Sequence, residues 1–458
     1  MPAAAATRYL CTPRRSCLMR QPGEKRGVIV RDRPLKGAWG MTALIFLFMF
    51  INFADKAVLG LAAQPLMVEL KLSPEQFGLI GSAFFLLFPV SAVLVGFVTN
   101  RVAARHSLLA MAILWSLVQF PMLGVTTLQV LIASRIFLGI AEGPAYPVAM
   151  HAVYKWFPDS LRAMPTAVIA QGSTIGVIVA VPVLNWIIVR YSWHWAFAAL
   201  GLAGLSWVVL WALFGREGTL VDPPVGEDAA AGGSVPYRYL LTCPSIIAAC
   251  CAGFVTYWGL ALTLTWFTSY LVDGLGYSQS TGGDLSVLPW LIGLVVVLLG
   301  GWISQRLKTA GYSSRLSRGA FASATVFVGG CLLLFVGHMP TPGLKIALLT
   351  LGGAIGATIY VVIPMIVSEL TPQKQRAAML AIVNSVMTSA GVIAPLVMGA
   401  VVQNAAMPTA GYERGYLILG GLLLAGGLIG LLFIRPEQDR QELARHALPA
   451  ASPQPAGG

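Results

Sequence analysis

Apolar residues run along the chain in twelve long blocks, separated by short polar breaks. The blocks occupy residues 38–65, 78–99, 107–126, 128–153, 165–189, 194–214, 245–272, 282–304, 318–337, 344–369, 377–402 and 412–434. Each is close to the length of about 20 residues that an α-helix needs to cross a bilayer. The pattern predicts an all-α membrane protein with twelve transmembrane helices. Between the sixth and seventh blocks, residues 215–244 lose the apolar run in favour of Pro, Gly, Ala and acidic residues, the mark of a flexible linker.

The two sets of six blocks repeat short signals. Gly96-x-x-x-Asn100-Arg101 after the second block returns as Gly301-x-x-x-Gln305-Arg306 after the eighth. Pro158-x-x-x-Arg162-Ala163 before the fifth returns as Pro372-x-x-x-Arg376-Ala377 before the eleventh. The expected organisation is a basic arm (1–37), a six-helix half (38–214), the linker (215–244), a second six-helix half (245–434) and a tail (435–458). Two pseudo-symmetric halves around a linker suit a rocking carrier with its site at midplane.

Composition supports this and removes competitors. Of 458 residues, 57% are hydrophobic and 10% charged, with a mean hydropathy of +0.76. A soluble domain carries about 25% charged residues, so a soluble enzyme, a nucleic-acid binder and a secreted disulfide scaffold all fit poorly. The net charge of +12 is spread over alternate loops, with no basic run interleaved with aromatics. The 2–3, 4–5, 8–9 and 10–11 loops, the linker and both ends hold most Lys and Arg. The opposite loops hold only Lys71, Arg190, Lys345 and Arg414. The positive-inside rule then places both termini in the cytoplasm, as expected for a bacterial-type inner-membrane protein. The first 36 residues contain no apolar stretch long enough for a signal peptide, with Met19 an alternative start.

The six cysteines show no metal-binding spacing and read as reduced thiols. No Gly-Lys dipeptide occurs, so there is no phosphate-binding loop. No cofactor, metal or catalytic group is expected, and the chain is read as a monomeric non-enzyme.

Four ionisable residues fall deep inside the blocks: Asp55 and Lys56 in the first, Arg135 and Glu142 in the fourth. Each costs about 2.5–3.5 kcal/mol at a helix centre on insertion scales, so such residues are kept for function. Arg135 and Glu142 lie two turns apart on one face, about 10 Å along the axis. Two bases invite an anion, and two buried carboxylates can carry protons. The expectation is proton-coupled uptake of a small organic carboxylate, with Lys56 and Arg135 as anion anchors and Asp55 and Glu142 as proton sites. Polar residues in neighbouring blocks supply a second tier of substrate contacts: Gln171, Ser173 and Thr174, Tyr257 and Trp266, Asn384 and Thr388. Asn384 and Thr388, four apart, are expected on one helical face.

These residues make the chain resemble the major facilitator superfamily. Its loop motif, Gly-x-x-x-Asp-Arg-x-Gly-x-Arg, stands here as Gly96, Asn100, Arg101, Ala103 and Arg105, with Gly301, Gln305 and Arg306 in the second copy. In the family the motif's carboxylate latches the cytoplasmic faces of the halves; here both copies are neutral. Asn52-Phe53-Ala54-Asp55-Lys56, Ser134-Arg135-x-x-Leu138-Gly139-x-x-Glu142-Gly143-Pro144-x-x-Pro147 and Leu264-Thr265-Trp266-Phe267-x-x-Tyr270-Leu271 are similar to the anion:cation symporter branch, which includes sugar-acid, phthalate and sialic-acid carriers. The resemblance implies the same division into anchors and proton sites. Lys56 replaces a usual arginine, and Phe53 and Phe88 stand where tyrosines commonly line the pocket. Two other readings stay open: a proton-antiporting exporter and a non-transporting sensor. The exporter lacks the Gly-Pro expected in span 5, and the sensor lacks an output domain.

Smaller expectations are that Gly172-x-x-x-Gly176 and Gly352-x-x-x-Gly356 are close-packing sites. Trp193-His194-Trp195 reads as an interfacial belt, and Glu369 as a partner of Arg376.

Overall fold

The computed structural model describes residues 10–11, 17–18, 33–98, 102–124, 127–158, 161–220 and 234–446. Among the described residues, twelve helices are long and apolar enough to cross a membrane. Spans 1–6 are Ala38–Leu61, Pro74–Val95, Ala104–Leu123, Leu128–Tyr154, Met164–Arg190 and Trp193–Phe214. Spans 7–12 are Pro244–Thr265, Gln279–Thr309, Arg315–His338, Pro342–Leu370, Gln375–Gln403 and Pro408–Phe433. The chain is an all-α membrane protein built from two six-helix halves. Before span 1, Leu10–Cys11 and Cys17–Leu18 pair as short antiparallel strands. Cys243, Cys250, Cys251 and Cys331 are free thiols.

Local chemistry sets the helix ends. Span 2 begins with a capping box: the Ser73 hydroxyl accepts from Gln76 N–H at 3.2 Å, and the Gln76 amide oxygen accepts from Ser73 N–H at 2.9 Å. Pro74 follows at the first helical position, where a missing N–H costs nothing. Span 4 breaks at midplane into Leu128–Glu142 and Ala145–Tyr154. The break falls at Gly143-Pro144, where proline cannot continue the hydrogen-bond ladder. The chain therefore interrupts a helix directly after Glu142.

Small residues let the helices approach, as the spacing predicts. A Cβ on Gly172 would lie 2.7 Å from the Phe46 carbonyl oxygen, and one on Gly176 2.4 Å from that of Phe50, so span 5 lies backbone to backbone on span 1. Gly352 similarly meets Leu333 of span 9, whereas Gly356 has ordinary room.

The halves are sealed together at the end remote from the termini. Asn185 of span 5 donates to Ser280 O at 2.8 Å and to Asp284 Oδ1 at 3.0 Å. Gln279 donates to Leu61 O at 2.9 Å. Together with a longer Gln279–Asn185 contact of 3.5 Å, these are the hydrogen bonds between the halves among the described residues, and all lie at that end.

Two expectations need correction. The Trp193-His194-Trp195 stretch is not a uniform belt. Trp193 is buried and donates to Glu69 Oε2 at 2.7 Å, and His194 lies 3.4 Å from Glu69 Oε1. Only Trp195 projects outward. Glu69 ends the helix before span 2, so the aromatic pair stitches two far-end loops together. Glu369 pairs with Arg318 at 2.8 Å, not Arg376, and also accepts from the Ser314 hydroxyl. The bundle brings span 9 closer than the next residues in sequence.

Candidate functional site

Spans 2 and 4 meet through glycine. A Cβ on Gly139 would fall on the Phe84 carbonyl oxygen, so span 4 lies hard against span 2, with span 1 beside both. This packing brings Asp55, Lys56, Arg135 and Glu142 into one buried group. Asp55, Arg135 and Glu142 are each at most 1% exposed. Lys56 Nζ stands 2.9 Å from Glu142 Oε2 and donates to Asn52 Oδ1 at 2.5 Å. Its ammonium is ringed by Phe53, Phe84 and Phe88, with centroids 4.4, 5.9 and 5.8 Å away. Those faces partly compensate the lost water of a cation.

Arg135 and Asp55 are less well served. The Arg135 guanidinium carbon lies 5.1 Å from the Phe197 ring centroid, yet its Nε and Nη2 have no hydrogen-bond partner, nor does either Asp55 oxygen. Glu142 Oε1 is likewise unpaired. Each carboxylate feels both cations, with Gln119 beside Asp55. The group is neutral in sum but under-bonded: one compact ion pair next to a cation and an anion that do not meet. Buried polar groups are normally satisfied, so spare donors on Arg135 and spare acceptors on Asp55 and Glu142 are what a polar ligand or a proton would fill.

A cavity of about 350 Å³ opens beside this group. Phe53 forms its wall and also covers Lys56, so one ring separates cavity from ammonium. Phe53 meets Trp290 of span 8 edge-on across the halves at 6.4 Å. A smaller recess touches Lys56 and Arg135 directly.

The expected second-tier residues divide. Gln171 and Ser173 line the cavity, and Gln171 Oε1 is buried without a partner. Tyr257 stands edge-on to Phe85 at 5.8 Å, bridging the halves at the margin of the charged group. Trp266 does not reach the cavity; it is fully buried, donates to Pro395 O at 3.1 Å and packs edge-on to Phe77 at 4.9 Å. Neither Asn384 nor Thr388 is among the residues lining this cavity. Asn384 is exposed, while Thr388 is buried with its hydroxyl on Ser385 O at 3.2 Å. A break between the helices Gln373–Thr388 and Ala390–Gln403 starts right after them. Phe88 shields Lys56 without lining the cavity.

Asn100 and Arg101 lie outside the described residues, and Gly96 falls within the last turns of span 2's helix. Arg105 works inside its own half: its N–H donates to Glu217 Oε2 at 2.9 Å and its guanidinium to Ala212 O at 3.3 Å. Lys155 pairs with the same Glu217 at 2.5 Å. Burial alone would raise the Glu217 carboxyl, but Lys155 and the Arg105 and Ala104 amides outweigh it and hold it below its ordinary value. In the second copy Gly301 lies within span 8, Gln305 is exposed, and Arg306 stacks 5.3 Å from the Trp302 ring.

Sequence reasoning looked to the second half but missed the residues that line the cavity there. Thr256, Phe267, Trp290, Tyr360 and Tyr416 line the cavity. The two tyrosines could have been found as hydroxyls set inside apolar blocks; the others carry no signal separate from ordinary core.

Comparison with known proteins agrees with this architecture. The chain is 27% identical over 404 residues to the hexuronate transporter of Bacillus subtilis (strain 168), covering 86% of this chain and 95% of that one. It is 25% identical over 411 residues to the D-galactonate transporter of Escherichia coli O6:H1, covering 85% and 94%. Among solved structures, an inward-facing, unoccupied bacterial homolog of the human lysosomal transporter Spinster superposes with a TM-score of 0.73 at 15% identity, over 92% of this chain and 100% of that one. These relatives fit the anion:cation symporter resemblance. The Major Facilitator Superfamily model matches residues 45–344 and 313–455, and the chain belongs to that superfamily.

Proposed function

We propose that the protein is a secondary transporter that takes up a small organic anion together with protons, by alternating access, across a bacterial-type inner membrane. The observation that carries this is the buried Lys56–Glu142 pair at 2.9 Å beside the unpaired Arg135 and Asp55. Glu142 is the internal counter-ion of the residue best placed to hold a substrate carboxylate. An anion reaching Lys56 must compete with Glu142, and two carboxylates on one ammonium repel. A proton on Glu142 removes the competitor and leaves Lys56 free. Proton and anion then bind with mutual benefit, which is the requirement for symport.

Charge balance points the same way. The empty group sums to zero, so an anion entering alone leaves a buried net charge at a cost of several kcal/mol. Entering with a proton, it leaves the sum unchanged. Arg135 supplies further donors to the carboxylate, and Asp55 is a second proton carrier beside it. With both termini in the cytoplasm, the hydrogen-bonded seal lies on the outer side, which supports reading this arrangement as an inward-facing stage of the cycle.

The test is uptake into proteoliposomes under an imposed inward proton gradient. Arg135→Ala should abolish uptake of an organic anion. Glu142→Gln should preserve anion exchange yet stop accumulation driven by the gradient. Gradient-driven accumulation surviving in Glu142→Gln would remove Glu142 from coupling; undiminished uptake by Arg135→Ala would remove the anion site.

A further inference from the structure

We infer that the transported anion has a compact apolar body, an aromatic ring or branched carbon skeleton bearing at most one or two polar substituents, rather than the hydroxyl-rich chain of a sugar acid. This rests on the anion-symport reading and names the substrate class of that same site. The cavity beside the charged group contains no Asp, Glu, Lys, Arg, His or Asn among its lining residues. Its walls are Phe53, Phe267 and Trp290, with leucines of spans 7, 8, 10 and 12.

The threonine hydroxyls that the second half turns to the cavity are occupied. Thr256 donates to Ala252 O at 2.8 Å, Thr263 to Gly259 O at 2.9 Å and Thr350 to Ile346 O at 2.7 Å. Each threonine spends its single hydrogen on its own helix, leaving only acceptor capacity for a ligand. The second half's wall thus turns methyl groups and weak acceptors to the cavity. The free buried groups are the hydroxyls of Tyr360 and Tyr416 and Gln171 Oε1, with the half-buried Ser173 and Thr174 hydroxyls beside Gln171 on span 5. Set at the edge of an otherwise apolar cavity, they serve one or two polar substituents, such as a phenolic hydroxyl or a carbonyl.

A hexonate or hexuronate brings several hydroxyls, each needing both a donor and an acceptor once water is excluded. Every one left unpaired weakens binding on the order of 5- to 150-fold. A ring acid loses nothing there and gains aromatic contacts with Phe53 and Trp290. Its carboxylate goes to Lys56 and Arg135, past the Phe53 ring that separates cavity from ammonium. The predicted selectivity is therefore opposite to the substrates for which the hexuronate and galactonate relatives are named.

The experiment is competitive uptake in proteoliposomes holding the full-length protein, with and without an inward proton gradient. The probes are phenylacetate and 4-hydroxyphenylacetate against D-galactonate and D-glucuronate. The expected result is a kcat/KM for the ring acids about 100-fold above that of either sugar acid. In Tyr360→Phe and Tyr416→Phe, each a conservative change, the ratio of 4-hydroxyphenylacetate to phenylacetate uptake should fall about tenfold in at least one variant. Sugar acids carried as well as or better than ring acids would overturn the substrate class while leaving gradient-driven anion symport intact. Ring acids preferred but indifferent to the gradient would uphold the class and overturn the coupling. Uptake of none of the four would overturn both.

Discussion

The seal at the far end rests heavily on one side chain, and its weight can be worked out. Asn185 is 1% exposed and joins the halves through two donated hydrogen bonds. The bond to the Ser280 carbonyl is neutral, contributing about 0.5–1.5 kcal/mol, and the bond to the Asp284 carboxylate is charge-assisted, about 1.5–3 kcal/mol. Asp284 is exposed, so in Asn185→Ala its carboxylate recovers water and the loss there falls below that range. The net penalty to the sealed state is then about 2 kcal/mol, roughly a 30-fold change in the sealed-to-open ratio. The open state rehydrates these groups and gains no compensating penalty. A far-end-open conformer present at about 1% would rise to about a quarter of the molecules.

Spin labels at Trp195 and Met407 read this directly. Both positions are well exposed, at 57% and 64%, and lie at the far end of opposite halves. In a background with the native cysteines replaced, electron-electron distance measurements on Asn185→Ala should show a second, longer population. Asn185→Asp should enlarge it, because a carboxylate would then face Asp284. Unchanged distributions in both variants would show that apolar packing alone holds the seal, and would refute the assignment of a hydrogen-bonded latch.

Gly139→Ala should sharply lower the yield of folded protein in detergent, since its Cβ would fall on the Phe84 carbonyl, a backbone atom with no easy retreat; overpacking of this kind costs about 1–3 kcal/mol or more. Normal yield and melting temperature would show that spans 2 and 4 adjust freely. Glu217→Gln should lower thermal stability at pH 7 by about 1 kcal/mol, through loss of a cap on span 3 and of the Lys155 pair. Because the folded carboxyl is held low, its stabilisation is present above the unfolded value of about 4.3. It is lost as pH falls through the folded value, so the difference between variant and parent should vanish in acid melts. Cys243, pushed up to about 12 by burial and the Asp439 carboxylate, should resist iodoacetamide at pH 8 in the folded protein; rapid labelling would contradict its burial.

The fold was legible because lipid imposes a crude and regular rule. Twelve apolar blocks of sufficient length appear as twelve spans, with boundaries displaced by a few residues where caps such as Ser73 set the start. The charged group was legible for the same reason: four ionisable residues in apolar blocks stand out against their cost. What could not be read was direction. Asn384 and Thr388 lie four apart in one helix, yet one is exposed and the other buried, because the neighbouring helices cover the two turns unequally. Trp266 carries a motif's conspicuous residue, but its indole N–H is claimed by Pro395 O. The cavity wall from spans 7, 8, 10 and 12 is made of residues that any apolar core would use. Only the packing of helices distant in sequence separates Trp290 from the other tryptophans.

The neutral loop motifs acquire a meaning once the carboxylates near the termini are located. In the first half Glu217 accepts from the Arg105 and Ala104 amides at the start of span 3. In the second half Glu437 accepts from the Ser314 and Arg315 amides at the start of span 9. Each carboxylate caps a helix of its own half. With Asn100 and Gln305 neutral, neither copy of the motif offers an acid to join the halves at that end, whereas the far end has the Asn185 and Gln279 bonds. The balance therefore favours a molecule sealed away from its termini. Restoring the acid that the family's motif carries, with Asn100→Asp, should pull against this on the order of 1 kcal/mol or about fivefold. The Trp195–Met407 distance should then lengthen in a fraction of molecules although no far-end residue is substituted, and the effect should weaken in high salt. If the distance stays as in the parent at low salt, the neutral motif is not what biases the resting state.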